Sequence, residues 1–80
     1  MAIRILFLGP LGDLAARGER EVAGPLDWDG LLESVGPQVA AQLRDDRVHV
    51  ACAGKVLADK TALLAQDGEE VALLPPVSGG

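Results

Sequence analysis

The sequence has few of the residues from which the commoner functional sites are built. It contains one cysteine, one histidine, one tryptophan, one phenylalanine and no tyrosine. A single cysteine excludes an internal disulfide framework, and one cysteine with one histidine cannot complete a closed zinc site. We therefore expect no metal bound by this chain. With seven basic residues and so few aromatic rings, it also lacks the basic surface and stacking platforms that nucleic-acid binding needs.

Long apolar runs are missing as well. No stretch approaches the roughly 20 apolar residues that span a bilayer, and residues 1–5 show no charged leader followed by a long apolar segment. We expect no membrane association and a cytoplasmic location. The net charge of −5 favours a basic protein as partner, since opposite surface potentials speed encounter.

What the sequence does contain is the composition of a small folded domain. Its 80 residues are 49% hydrophobic and 24% charged, which suits a single domain over residues 1–80. A chain of this length supports one modest core but not a core together with a buried catalytic cleft. We expect no catalytic acid, base or metal of its own.

Hydrophobic patterning predicts strands at both ends and a helix between them. Residues 3–8 form a largely apolar run, and residues 21–23 a short second strand after an exposed turn at residues 17–20. Asp27 is a good N-cap residue, and Gly36 and Pro37 end the helix. The apolar stripe of this helix consists of Trp28, Leu31, Leu32 and Val35.

The second half predicts a shorter helical piece and then more strands. Val39, Ala40 and Leu43 have helical spacing, and the alternation at residues 48–53 places Val48, Val50 and Cys52 towards the core. A brief strand is predicted at residues 56–57, further core at residues 63–64, a turn at residues 67–68 and the last strand at residues 71–74.

Together these elements predict an α+β fold. The first and last strands are the most continuously apolar, so we place them side by side in the centre of a mixed sheet, with the main helix packed across it. This arrangement is the β-grasp, the ubiquitin-like architecture, here with a flexible C-terminal Gly-Gly tail.

The tail carries the functional prediction. Pro75 and Pro76 lack the N–H groups that a central strand needs and favour extended backbone. The protruding segment from residue 75 to residue 80 can therefore reach roughly 20 Å at about 3.3 Å per residue. Ser78, Gly79 and Gly80 have almost no side-chain bulk. Such a tail fits a narrow channel in another protein, where the Gly80 carboxylate is open to ATP-dependent adenylation and then to displacement of AMP by sulfur. Gly-Gly alone is a weak signal, since chain ends are commonly glycine-rich.

The tail also carries a resemblance. The segment Asp67-Gly68-Glu69-Glu70-Val71-Ala72-Leu73-Leu74-Pro75-Pro76-Val77-Ser78-Gly79-Gly80 resembles the C-terminus of the small subunits of molybdopterin synthase, and residues 3–8 resemble their first strand. Length and element order agree across the chain, and the Pro-Pro-Val-Ser-Gly-Gly ending is the specific part.

The resemblance implies a sulfur carrier. Gly80 would be adenylated by an E1-like enzyme with Mg-ATP, converted to a thiocarboxylate, and used to donate sulfur to a pterin precursor in molybdenum cofactor biosynthesis. The tail residues Pro75, Pro76, Val77, Ser78 and Gly79 would bind the large synthase subunit, in a heterotetramer of two small and two large subunits. No cofactor is expected on this chain itself. Phe7 and Leu74 match apolar family positions and are candidates for partner contact, with core packing as the equal alternative.

Other interpretations stay open. Gly12 and Asp13 replace an arginine or glutamate usual in the family, and Ala53-Gly54 replaces Asn-Gln or Asn-Gly. These departures leave room for a carrier serving thiamine or cysteine synthesis, for a ubiquitin-like protein modifier, and for an adaptor without tail chemistry. A persulfide on Cys52 is a further possibility, against which its inward strand position argues. His49 is expected at the surface, and the segment from Gly9 to Gly12 is expected to be a turn rather than a phosphate-binding loop.

Overall fold

The structure, a computed structural model, describes residues 2–15 and 18–75. The side chains of Leu14 and Ala15 fall outside this description. The elements follow in chain order: β1 (Ile3–Phe7), α1 (Pro10–Ala15), β2 (Glu19–Val22), β3 (Leu26–Asp27), α2 (Trp28–Leu43), β4 (His49–Cys52), β5 (Lys55–Val56), a 3-10 turn (Lys60–Ala62), β6 (Leu64–Ala65) and β7 (Glu70–Leu74).

The main sheet has five strands in the order β2-β1-β7-β4-β5. The first and last strands, β1 and β7, run parallel to each other in the centre, with Ile5 opposite Val71. The other three pairings are antiparallel. The predicted mixed sheet with the chain ends adjacent is therefore confirmed, and the fold is a ubiquitin-like β-grasp.

Helix α2 packs its apolar stripe against one face of this sheet. Asp27 caps it by accepting a hydrogen bond from the backbone N–H of Gly30 at 2.8 Å. Gly36, with φ of 86° and ψ of 166°, interrupts the helix in front of Pro37, in a backbone region almost restricted to glycine. A second helical piece then runs to Leu43. The predicted N-cap, break and second helical piece are all confirmed.

The core lies between α2 and the inner face of the sheet. Its members share an exposure of 9% or less and come from every region of the fold. They are Ile3, Ile5, Phe7, Leu11, Leu26, Leu31, Val35, Val39, Ala40, Leu43, Val48, Val50, Leu63, Ala65, Val71 and Leu73.

Several predicted details were wrong. Glu19 and Arg20, expected in an exposed turn, belong to β2, whose charged edge position gave no alternating apolar signal. Helix α1 lies between β1 and β2, where the sequence predicted turns only. Of the two leucines expected in the core, Leu63 is 3% exposed but Leu64 is 62% exposed, because adjacent residues in extended backbone point to opposite sides.

A small second sheet of β3 and β6 was not predicted. Leu26 pairs with Ala65 and Asp27 with Leu64. Two-residue strands are too short to show a period in the sequence. No helix in the described part of the chain has the length and apolar character needed to cross a membrane.

Candidate functional site

The root of the predicted tail lies at the end of the central strand β7. Leu74, its last residue, pairs with His49 of β4, and Pro75 follows with its side chain partly buried. The proposed reactive residue Gly80 and the proposed partner-binding residues Pro76, Val77, Ser78 and Gly79 lie outside the described residues. Their roles therefore stay predictions.

The face of the main sheet that points away from α2 is largely apolar near its centre. Register places Leu6 beside Ala72, Ala72 beside Ala51, and Ala51 beside Val56, across four neighbouring strands. Residues opposite each other in a ladder project from the same face. Leu6, Ala51 and Ala72 are partly exposed and Val56 is 59% exposed. We call the surface formed by Leu6, Ala51, Val56, Ala72 and Leu74 the open sheet face.

One edge of the open sheet face meets the tail root. Leu8, 41% exposed, follows β1, and its N–H donates to the carbonyl of Leu73 at 3.4 Å. This bond places Leu8 beside the end of β7. An exposed apolar surface therefore continues from the sheet centre to Leu74 and Pro75, the root of the predicted tail.

The opposite edge of the open sheet face is acidic. Arg4 lies in register between Glu21 and Glu70. Its guanidinium pairs with Glu19 at 3.5 Å and with Glu70 at 3.8 Å. All three side chains are more than half exposed, so these pairs add little to stability. One cation among three carboxylates leaves this edge negative, which suits a partner with basic groups.

The two apolar candidates for partner contact separate in the structure. Phe7 is 4% exposed and belongs to the core. Of the two interpretations of Phe7, partner contact and core packing, core packing is therefore the correct one. Leu74 is partly exposed and lies on the open sheet face. Partner contact through Leu74 stays a prediction, and its surroundings are compatible with it.

The cysteine is poorly suited to sulfur chemistry. Cys52 is only partly buried at the end of β4, although strand parity predicted full burial. Burial raises the pKa of its thiol, and the nearby Glu69 carboxylate raises it further. A thiol with a raised pKa holds little of the reactive thiolate at neutral pH. His49 is exposed, as predicted. Among the described residues, no three histidine, cysteine or acidic side chains converge on a possible metal site.

Two further groups with a shifted pKa, Asp45 and Arg47, stabilise the loop between α2 and β4. Hydrogen bonds from Arg47 lower the pKa of the Asp45 carboxyl from its ordinary value of 3.8 to about 2. The ammonium group of Lys60 donates to the carbonyls of Asp45 and Val48, the latter at 2.7 Å. These contacts hold the loop that leads into β4, whose first residue, His49, pairs with Leu74 at the tail root.

Sequence reasoning missed the open sheet face because it treated the first strand as one buried run. The signal was present as alternation, since Ile3, Ile5 and Phe7 point inward while Arg4 and Leu6 do not. It also missed Gly9, which contacts the tail root. A turn was predicted from Gly9 to Gly12, but helix α1 begins at Pro10.

Comparison with known proteins identifies the family. The profile of the ThiS family matches residues 5–80 of this chain. The chain belongs to the ThiS family. It is thus a member of the group of β-grasp proteins that comprises sulfur carriers and ubiquitin-like modifiers. No curated protein sequence matches this ThiS-family chain significantly.

Solved structures share the fold over nearly the whole chain. SAMP1 from Haloferax volcanii is 26% identical with a TM-score of 0.68, and the match covers 100% of both chains. Small archaeal modifier protein 1 from Methanosarcina acetivorans is 22% identical with a TM-score of 0.75, covering 99% of this chain and 96% of that one. The complex of subunits 1 and 2 of molybdopterin-converting factor from Helicobacter pylori contains a chain that is 20% identical with a TM-score of 0.66, with 100% of both chains covered.

Proposed function

We propose that this ThiS-family chain is the sulfur-carrier subunit of a molybdopterin synthase. In this proposal an E1-like enzyme uses Mg-ATP to join the Gly80 carboxylate to AMP, releasing pyrophosphate. A sulfur nucleophile then attacks the carbonyl carbon and expels AMP, leaving a thiocarboxylate. The large synthase subunit accepts the tail and supplies the catalytic side chains, in an assembly of two small and two large subunits. The sulfur passes to the bound pterin precursor.

The observation that carries the proposal is where the last strand ends. β7 lies in the middle of the sheet, yet its end opens onto the open sheet face through Leu74, Pro75 and the neighbouring Leu8. A partner that covers this apolar surface is thereby in place to receive the residues that follow Pro75. Solvent-exposed apolar patches on small proteins commonly mark such contacts.

The charge distribution supports the same kind of partner. Glu21 and Glu70 lie in register with Arg4 at the end of the sheet away from the tail root, and Glu19 lies beside Leu6 on the edge strand β2. A partner with an apolar centre and basic residues on one side would match both halves of this surface. Complementary charges of this sort fix orientation and increase association rates.

The chemistry is tested by intact mass. The protein is incubated with an E1-like adenylating enzyme, Mg-ATP and sulfide. We expect a gain of about 16 Da at Gly80, the exchange of one oxygen for sulfur. Adding a residue after Gly80 should abolish the gain without lowering the melting temperature. Activity that survives this addition would show that the free carboxylate is not the reactive group.

The partner surface is tested by a matched pair of substitutions. Ala72→Glu places a charge in the centre of the open sheet face, whereas Ala41→Glu places the same charge on the exposed side of α2. An unpaired charge in an interface costs about 2–5 kcal/mol. We expect Ala72→Glu to weaken binding to a large synthase subunit by 30-fold or more on this estimate, with Ala41→Glu unchanged. Equal affinities would place the interface elsewhere.

A protein-modifier function is the second candidate. The 26% identity to SAMP1 over the whole chain favours it. Gly80 would then be joined to lysine amines of other proteins, and high-mass adducts would disappear when Gly80 is deleted. A carrier for thiamine or cysteine synthesis would also form the thiocarboxylate. Mixed with a large synthase subunit and the pterin precursor, however, it would fail to produce the dithiolene of molybdopterin.

A further inference from the structure

A glycine of the first loop lies against the tail root. Gly9 follows β1 with φ of 57°, in the left-handed region that glycine adopts without strain. A Cβ built at this position would lie 3.3 Å from Cγ of Pro75. That separation is shorter than most real Cβ contacts, so a side chain at residue 9 would displace the proline ring by a few tenths of an ångström.

Neither side of this contact can move freely. The carbonyl of Gly9 accepts a hydrogen bond from Gly12 at 3.0 Å, and the N–H of Leu8 donates to Leu73 at 3.4 Å. These bonds tie Gly9 to the first turn of α1 and to the end of β7. On the other side, the Pro75 ring fixes its own φ and confines the preceding Leu74 to extended backbone.

The position of the Pro75 ring therefore sets the direction of the backbone at the end of β7. The Pro75 ring lies beside Gly9, and glycine is the one residue type without a side chain that could displace the ring. The left-handed φ and the close approach both favour glycine here.

We propose that Gly9 is a positioning residue for the reactive tail. By admitting the Pro75 ring close to the junction of β1 and α1, it aims the chain after Pro75 at the active site of the E1-like enzyme that adenylates Gly80. This inference rests on the proposed tail chemistry of Gly80. It assigns no chemical step to Gly9 itself.

The test compares Gly9→Ala with Gly54→Ala. Gly54 has φ of 85° but no atom within 4 Å of a built Cβ, so this control shares the backbone strain and lacks the contact with Pro75. Steady-state kinetics of thiocarboxylate formation are measured with an E1-like adenylating enzyme, Mg-ATP and sulfide. Misplacement of reacting groups by 1 Å can cost about 100-fold in rate, and for the smaller shift here we expect Gly9→Ala to lower kcat by about 3- to 10-fold.

The distribution between kcat and KM identifies the cause. Gly9→Ala changes no residue of the open sheet face. If docking through this face is separate from placement of the tail, KM should stay within about twofold of the wild-type value. Gly54→Ala should leave both constants unchanged while showing a similar loss of melting temperature. Equal kcat values for the two alanine variants would overturn the inference.

Removal of the Pro75 ring provides a second check. If the Cβ at residue 9 acts by displacing this ring, adding Gly9→Ala to Pro75→Ala should cause no further loss of kcat. An undiminished loss in the Pro75→Ala background would mean that Gly9 acts through another route and would overturn the inference.

A nuclear Overhauser measurement makes the outcome independent of catalysis. Cross-peaks between the Gly9 Hα protons and the Pro75 ring protons are expected in the wild-type protein, because one Hα points to the ring from the place where a Cβ would stand. Their absence in the wild type would overturn the inference by itself. If these cross-peaks are present but the wild type forms no thiocarboxylate, the proposed function fails and with it the role in aiming the tail. Thiocarboxylate formation that is insensitive to Gly9→Ala would refute the positioning role alone.

Discussion

Gly24 joins two distant parts of the chain, and alanine at this position should destabilise the fold strongly. The N–H of Gly24, in the loop between β2 and β3, donates to Oδ1 of Asp67 at 2.7 Å. A Cβ at Gly24 would lie 2.6 Å from that same oxygen, 2.9 Å from the backbone N of Asp67 and 2.9 Å from Cδ1 of Ile3. Real Cβ contacts are almost never this short, so the loop has to move away from the turn at residues 67–68.

The expected loss of stability in Gly24→Ala is the sum of a packing cost and a lost hydrogen bond. Forcing an extra carbon into a packed site costs about 1–3 kcal/mol. Losing the hydrogen bond to an exposed carboxylate adds about 1 kcal/mol. The total of about 2–4 kcal/mol corresponds to a fall in melting temperature of roughly 10–25 °C for a domain of this length. Side-chain rotation of Asp67 relieves only the contact with Oδ1, because the second clash is with backbone.

The assay is urea and thermal unfolding followed by circular dichroism, analysed as a two-state transition. Gly18→Ala is the matched control, since no atom lies within 4 Å of a built Cβ there. That variant should stay within about 0.5 kcal/mol of the wild type. A Gly24→Ala protein as stable as the Gly18→Ala protein would refute the packing argument for this loop.

Three further predictions concern the turn, the pH dependence and the cysteine. Ala53 has φ of 52° in the two-residue turn between β4 and β5. Because asparagine adopts this left-handed region more readily than alanine, Ala53→Asn should raise the free energy of unfolding by about 0.5–1 kcal/mol. Urea unfolding measures this change, and no gain would refute the strain argument. The carboxyl of Asp45 has its pKa lowered to about 2 by hydrogen bonds from Arg47. The stabilisation that ionised Asp45 provides is therefore present above about pH 4 and is lost as the pH falls towards 2. The difference in melting temperature between the wild type and Asp45→Asn should shrink over that pH range. A constant difference would contradict this prediction. Cys52→Ala should keep full thiocarboxylate formation by intact mass, because burial and Glu69 raise the pKa of this thiol; complete loss would restore the persulfide hypothesis.

Much of the fold was predictable because its signals are local. The capping carboxylate of Asp27, the apolar spacing from Trp28 to Val35 and the break at Gly36 specify α2 within a few turns of chain. The central strands β1 and β7 were recognisable because strands covered on one face by a helix and flanked on both edges are rich in apolar residues.

The missed elements depend on partners far away in the chain. β2 begins two residues before its predicted start because Glu19 and Arg20 pair with β1, and these exposed side chains carry no apolar pattern. β3 and β6 are two residues each and exist through pairing with one another. No local preference of Leu26 or Leu64 specifies that pairing.

The sequence by itself determined that this chain is a small acidic β-grasp domain and that its chemistry should lie in a slim tail after Pro75 and Pro76. Those features follow from side-chain size, backbone restriction and hydrophobic period, which are properties of neighbouring residues. Tertiary structure alone decided that Phe7 is a core residue while Leu8 and Val56 are exposed, and that Gly9 meets Pro75. The places of Phe7, Leu8 and Gly9 depend on the parallel pairing of β1 with β7, which brings together residues more than 60 positions apart, and that of Val56 depends on the pairing of β5 with β4.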